Sequence, residues 1–505
     1  MPEVIQRALL LGLLTLPWLW PYTYGPSAGV EPYLASAALA AVALALWPAR
    51  GAVGDARVAA WAWLAAALAS SLIALLQYFD LETPFYPWIN IAEPGRAFGN
   101  LRQPNQLATL LVIGALALRG LVQDGRLSWR LAAGLCALLV AALAATASRV
   151  GLVELLACGA LLSWWARGAK HGRRAVLAVG GAAALYALAV LALPVLAQMT
   201  EGIVGRDMVE RLRTAESTCG SRLILYDNVL HLIGLKPWTG WGWGELDYAH
   251  YITLYDGPRF CHILDNAHNL PLHLAVELGV PAALLACALA AWLIWRGQPW
   301  AEAQPARQLA WGVLLAIGIH SLVEYPLWYG PFQIAVAICV WLLWATRAGA
   351  EARALTPRPW PRLTAAALML CAIAYAGWDY HRISQVYLPA EQRSVAYRDN
   401  PMAQARKSRL YAGAVRFAEV SSQPVTRDNA DWTLQAALQA LHFSPEPRVI
   451  IKVIESATLL GQDDLARTHL ARFRAAFARE HQAWADTLMP KTSATSEPDT
   501  SPMPP

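Results

Sequence analysis

The sequence predicts an all-α polytopic membrane protein of about 11 transmembrane helices, with a large periplasmic loop and a helical, tetratricopeptide-like C-terminal periplasmic domain. Three observations carry that expectation. Hydrophobic residues fill 57% of the 505 positions and charged residues 15%, where soluble domains carry roughly 25% charged residues. Apolar runs near the ~20 residues that span a bilayer recur from the N-terminus to residue 379. Lys and Arg alternate between successive loops, which is the asymmetry that orients membrane helices.

The apolar runs fall at about 5–21, 32–48, 58–76, 104–118, 131–147, 150–166, 175–193, 269–295, 309–324, 331–346 and 363–379. The first has no small-residue cleavage site and is followed at once by further spans, so it reads as a retained helix. Basic residues cluster in alternate short loops: Arg50 and Arg57; Arg119, Arg126 and Arg130; Arg167, Lys170, Arg173 and Arg174; Arg296 and Arg307; Arg347, Arg353, Arg358 and Arg362. These loops belong on the cytoplasmic side. The loops at 22–31 and 325–330 hold no Lys or Arg. The expected topology therefore has a cytoplasmic N-terminus, with loops 77–103 and 194–267 outside and the region after residue 380 outside too. The formal net charge of +5 follows from the same asymmetry and makes no case for a nucleic-acid partner.

Five blocks follow: N-terminal transmembrane helices 1–193, a large periplasmic loop 194–267, C-terminal transmembrane helices 268–379, a soluble helical domain 380–490 and a tail 491–505 of disordered composition. In the soluble block, Val449, Ile450, Val453, Ile454, Ala457 and Leu460 keep a helical period. Gly461 then opens a turn, and Leu465, Ala466, Leu470, Phe473 and Phe477 follow. A degenerate tetratricopeptide unit or a generic helical hairpin fits this spacing, and either is a docking surface. Cys136, Cys158, Cys287, Cys339 and Cys371 lie within apolar runs as small buried hydrophobes. Cys219 and Cys261 lie in the outer loop, in an oxidising compartment, and are expected to pair as a disulfide.

The residues with chemistry gather at loop–helix junctions. Arg102, Gln103, Pro104, Asn105 and Gln106 stand directly before a span. Pro104 suits a first helical turn, and Arg102 beside amides reads as a polar ligand site rather than a plain cap. Ser148-Arg149 falls between two apolar helices, where Arg149 either snorkels to lipid or binds a substrate phosphate bidentately. Gly220-Ser221-Arg222 opens an amphipathic stretch ending in Pro237-Trp-Thr-Gly-Trp-Gly-Trp-Gly244. This turn is expected at the bilayer interface, stacking on sugar rings. His268 follows Asp265 and Asn266 and precedes Asn269, at the entry to an apolar helix. An imidazole there exchanges protons near neutral pH. In a regular helix Glu277 lies about 13 Å deeper on the opposite face, so it is expected to partner another polar residue of the bundle. His320 and Glu324 are four apart and are expected to share a helical face, with Tyr325 and Tyr329 at the outer surface.

The chain contains no Walker or dinucleotide fingerprint and no Asp-x-Asp motif, and its His and carboxylate spacings form no metal set. A glycosyl donor would then be lipid-borne and already outside. The Arg102–Gln106 segment, Ser148-Arg149, Arg222, the Pro237–Gly244 turn, His268-Asn269 with Glu277 and Gly279, and Glu324–Tyr329 together resemble bacterial protein O-oligosaccharyltransferases of the PglL/PilO type. These share a membrane domain with O-antigen ligases and polymerases. The resemblance covers nearly the whole chain. It implies transfer of glycan from undecaprenyl diphosphate, without metal or other cofactor, to Ser or Thr of a periplasmic protein such as pilin. It also implies roles. Arg149 and Arg222 would neutralise the diphosphate, and His268 would act on the acceptor hydroxyl as base or instead ligate diphosphate. Gln103 or Gln106, with Arg102 and Tyr325 or Tyr329, would position glycan or acceptor, with Glu277 and Glu324 in support. The neighbouring expectation is an O-antigen ligase or polymerase. An expectation of another class is a lipid-linked glycan flippase, which would need charges along a route across the bilayer.

Overall fold

The computed structural model describes residues 3–23, 25–47, 52–167, 172–201, 219–347 and 359–488. The expected tail at 491–505 and part of the expected loop, 202–218, lie outside the described residues. The described residues are helical, without strands. The first half holds α1 (Glu3–Leu19), α2 (Val30–Leu46), α3 (Ala52–Tyr78), α4 (Pro104–Gln123), α5 (Trp129–Ala145), α6 (Arg149–Trp165) and α7 (Gly172–Glu201). α8 (Arg222–Leu235) and α9 (Leu246–Ile252) belong to the polar loop. α10 (Leu270–Leu278), α11 (Val280–Gly297), α12 (Pro305–Ser321), α13 (Gly330–Ala345) and α14 (Trp360–Ser384) return to apolar sequence. Among the described residues, five helical segments are long and apolar enough to cross a membrane: Gly54–Tyr78, Pro104–Gln123, Gly172–Met199, Val280–Ala301 and Trp360–Tyr387. The chain is accordingly a helical, multi-pass membrane protein.

α4 is the central helix, packed against α3, α5, α6 and α12. Small residues let it approach its neighbours. A Cβ added at Gly114 would meet the Ala67 Cβ at 2.3 Å, and one at Gly151 would meet the Ala108 Cβ at 2.6 Å. Lipid tails are as apolar as Leu, so close van der Waals packing of this kind holds membrane helices together. The expected boundary at residue 193 is passed, because α7 continues through Pro194 to Glu201.

The expected span at 269–295 is not one helix. It breaks at Gly279, with φ +89°, because Pro281 follows as N2 of α11 and has no N–H to continue the ladder. The break frees carbonyls, and the glycine–tryptophan turn fills them. The N–H of Trp241 donates to Val276 O at 2.9 Å, that of Gly242 to Glu277 O at 3.0 Å, and that of Val280 to Pro237 O at 2.8 Å. The contact needs both glycines. A Cβ at Gly240 would meet the Glu277 carbonyl at 2.3 Å, and one at Gly279 the Trp238 carbonyl at 2.3 Å. The turn expected at the bilayer interface thus also closes a helix break. Trp241 is tied down through Nε1 to Leu232 O, while Trp238 and Trp243 stay exposed.

Past α14 the chain forms α15 (Pro401–Ala405), α16 (Ala412–Ser422), α17 (Ala430–Ala440), α18 (Pro447–Leu459), α19 (Asp463–Ala476) and α20 (Ala478–Leu488). α18 and α19 make a hairpin. Gly461 at φ +70° closes α18 as its N–H reaches Thr458 O and that of Gln462 reaches Ala457 O. This unit packs on the polar loop. Tyr251 of α9 is buried in the same cluster as Val449, Ile450 and Phe473.

Candidate active site

The asparagines around His268 shape its backbone. Asn266 Oδ1 accepts the His268 N–H at 2.7 Å, and His268 takes a left-handed φ of +48°. Local side-chain hydrogen bonds of this type make such turns affordable for a residue with a Cβ. Asn269 caps α10, with Oδ1 accepting the Leu272 N–H at 3.0 Å. Its Nδ2 donates to Leu322 O at 2.9 Å. One side chain therefore starts α10 and holds the segment after α12 against it.

That segment carries Glu324. Its Oε2 lies 2.8 Å from His268 Nδ1, and its Oε1 accepts from Arg222 Nη2. Asn105 Nδ2 lies 3.4 Å from the same Oε1. Side-chain exposure is 9% for Glu324, 20% for His268 and 34% for Arg222. The carboxylate is thus enclosed and its two cationic or protic partners face outward. Nδ1 is committed to Glu324, which leaves Nε2 as the ring nitrogen not engaged by the carboxylate. Tyr325 stands edge-on to His268, with ring centroids 5.1 Å apart, and Tyr329 is stacked 6.2 Å from Tyr325. Burial, then Tyr329, Asp265 and Glu324, push the Tyr325 phenol up, so it is a hydrogen-bond donor at neutral pH. Gln106 is buried, and its backbone N–H is taken by the Gln103 cap. Cys219 and Cys261 are disulfide-bonded, with Cα atoms 5.3 Å apart, and close the loop that carries α8 and α9.

The remaining candidates divide. Arg149 is the exposed first residue of α6. Ser148 caps that helix by accepting the Gly151 N–H at 3.0 Å and donates to Asn105 Oδ1 at 2.6 Å. Gln103 is the cap of α4, with Oε1 accepting the Gln106 N–H at 2.7 Å. Arg102 turns away, its Nη2 donating to Pro21 O at 2.6 Å and lying 3.3 Å from Asn90 Oδ1.

Glu277 meets the expected polar partner on its own helix. Its Oε2 lies 3.5 Å from His273 Nε2, and its backbone holds the glycine–tryptophan turn, because the helix ends one residue later, at Leu278. One sequence expectation is corrected: His320 and Glu324 do not act on one face. α12 ends at Ser321. The His320 ring turns inward to Thr109, at 2.7 Å, while Glu324 turns to Arg222 and His268. Sequence reasoning missed Asn105 and Ser148 as site residues, although both stand in motifs it singled out. It missed Glu154 altogether. A single carboxylate in an apolar helix was the available signal.

The loop beneath the site is held by buried polar groups. His250 Nε2 donates to Phe260 O at 3.1 Å and Nδ1 accepts the Tyr255 hydroxyl at 2.8 Å. Burial beside Arg259 pushes His250 down to about 3. Burial pushes the Asp247 carboxyl up to about 7, with Asp265 and Glu245 adding repulsion. The C-terminal unit grips the same loop through Tyr248 stacked on His442 at 3.8 Å, Glu245 on His442 at 2.7 Å and Tyr251 on His469 at 2.8 Å.

Comparison with known families matches three parts of the chain. Residues 97–118 match the protein glycosylation ligase family, residues 134–287 the O-antigen ligase family, and residues 308–489 the C-terminal region of the virulence factor membrane-bound polymerase family. A general O-oligosaccharyltransferase of Acinetobacter baylyi (strain ATCC 33305 / BD413 / ADP1) is 28% identical over 283 residues, 54% of this chain and 48% of that protein. The chain spans about half the length of the curated relative it matches.

Proposed function

We propose that this chain, a protein-glycosylation-ligase-type member of the O-antigen ligase superfamily, catalyses O-linked protein glycosylation. It transfers an oligosaccharide from undecaprenyl diphosphate to Ser or Thr of periplasmic proteins such as pilin, at the outer face of the bacterial inner membrane. The observation that carries this reading is one carboxylate, Glu324, held between His268 Nδ1 at 2.8 Å and Arg222.

In the reaction, Glu324 takes the Nδ1–H of His268 and leaves the Nε2 lone pair for the acceptor hydroxyl. The hydroxyl oxygen forms a bond to the anomeric carbon. The bond from that carbon to the diphosphate oxygen breaks, and the electron pair leaves with the diphosphate. The hydroxyl proton goes to Nε2 and then to solvent. Arg222 and Arg149, at the heads of α8 and α6, neutralise the charge that develops on the leaving group. Gln103 or Gln106, with Tyr325 or Tyr329, positions glycan or acceptor. In this reading the site and the C-terminal unit are periplasmic and the N-terminus is cytoplasmic.

The test is reconstitution in liposomes with undecaprenyl-diphosphate-linked glycan and periplasmic acceptor proteins. Wild type glycosylates the acceptor and His268→Ala does not. The O-antigen ligase match at residues 134–287 supports a second reading, transfer to lipopolysaccharide. A deletion strain separates the two. A loss of pilin mass supports the first, and a changed lipopolysaccharide ladder with unchanged pilin supports the second.

A further inference from the structure

Inside the bundle lies a second polar cluster that the reaction above does not use. Thr109 of α4, Glu154 of α6 and His320 of α12 are each 0% exposed. Thr109 Oγ1 is 2.7 Å from Glu154 Oε1, 2.7 Å from His320 Nδ1 and 3.1 Å from the carbonyl of Asn105. Burying a carboxyl group and an imidazole among apolar helices is expensive unless each finds a partner. Here one hydroxyl serves both. A hydroxyl has a single proton and two lone pairs. With contacts at 2.7 Å to both groups, at least one of them donates to it, so the three side chains are held as a unit. Glu154 Oε2 and His320 Nε2 have no hydrogen-bond partner among the described residues. Simple burial economy would have placed apolar side chains here.

One helical turn up α4 from Thr109 is Asn105. There the same three parts of the chain meet again. Asn105 Oδ1 accepts from Ser148, the cap of α6, and Asn105 Nδ2 faces Glu324, beyond the end of α12. The backbone continues the link, because the Glu324 N–H donates to His320 O at 2.8 Å. The lower level therefore sets the height of α4, α6 and α12 relative to one another, and the upper level converts that height into the position of the Glu324 carboxylate.

We propose that Thr109, Glu154 and His320 are positioning residues for His268, acting through Asn105 and Glu324. The proposal rests on the glycosyl-transfer reading above. Its energetic content lies in the transition state. A reacting group displaced by about 1 Å loses up to about 100-fold in rate, whereas substrate binding outside the bundle is untouched.

The experiment compares full-length variants in liposomes, with undecaprenyl-diphosphate-linked disaccharide as donor and a Ser/Thr-containing peptide as acceptor. Thr109→Val, which removes the hydroxyl and keeps the shape, lowers kcat about tenfold or more and leaves the peptide KM within about twofold. Thr109→Ser, which restores the hydroxyl, recovers most of the loss. Glu154→Leu is the second variant, because Thr109 keeps His320 as a hydrogen-bond partner at 2.7 Å and no buried group is left wholly unpaired. It keeps or raises the apparent Tm and still lowers kcat. Wild-type kcat in Glu154→Leu, or a Thr109→Ser no better than Thr109→Val, overturns the proposal. So does a loss in either variant that follows Tm alone. Transfer that survives His268→Ala, or no transfer by wild type, instead overturns the reading on which the proposal rests.

Discussion

His268 and Glu324 are joined through Nδ1 and Oε2 at 2.8 Å across 56 residues of sequence. The other oxygen of the same carboxylate is taken by Arg222. This division predicts the outcome of an isosteric change. In Glu324→Gln, Arg222 can bond only to the amide oxygen, so the amide NH2 faces His268 and donates to Nδ1. The ring proton is then forced onto Nε2, where a base needs a lone pair. Transfer should fall at least about 100-fold, about 2.7 kcal/mol in the barrier. Initial rates with reconstituted enzyme measure it, and a variant within threefold of wild type removes the tautomer argument.

Arg222 should matter as a planar guanidinium. Its rigid planar fork matches carboxylate and phosphate geometry, which an ammonium on a flexible stem does not reproduce. Arg222→Lys is expected to lose about tenfold or more in kcat/KM, and Arg149→Lys should also lose activity. Full activity in both Lys variants would mean that plain positive charge suffices.

The helix break should be sensitive to a single methyl group. Gly279 has φ +89°, and a Cβ there would meet Trp238 O at 2.3 Å. Gly279→Ala is expected to destabilise by about 1–3 kcal/mol through backbone strain and to dislodge the turn from Val276 and Glu277. Thermal unfolding in detergent tests this. An unchanged Tm would show that the turn does not depend on the close approach.

Acid should loosen the grip of the C-terminal unit on the loop. Burial first, then Arg472, pushes His469 down to about 4, and Tyr251 bonds to its Nδ1. The unfolded chain takes up this proton near pH 6.5 while the folded protein resists, so stability is full above that pH and falls as pH drops toward 4. Between pH 7 and 5 the loss is about 2 kcal/mol. Asp247, pushed up to about 7, acts in the opposite sense over this range. The measurement is therefore a difference, the Tm at pH 7 and at pH 5 for wild type and for His469→Gln. The variant should lose less, and identical pH dependence would exclude His469 as the sensitive group.

Much of this protein is legible in its sequence, because some structural causes are local. Apolar runs become helices since a backbone in lipid must satisfy its own hydrogen bonds, and the long, apolar segments Gly54–Tyr78, Gly172–Met199 and Trp360–Tyr387 do so. Pro104, Ser148, Ser221 and Asn269 mark helix starts through caps that need only the next three residues. His268 and Arg222 stand out by chemical type alone. What no local pattern encodes is which of these groups meet. Glu324 belongs to His268 and Arg222 rather than to His320, four residues away, because α12 ends at Ser321 and Asn269 holds the following segment against α10. Glu277 serves the glycine–tryptophan turn because a proline two residues after Gly279 interrupts the helix and leaves carbonyls to fill. Thr109, Glu154 and His320 converge from three helices, and a contact between positions 45 and 211 residues apart leaves no periodic trace in the chain. Spacing governs what a segment becomes, and packing governs what its side chains touch.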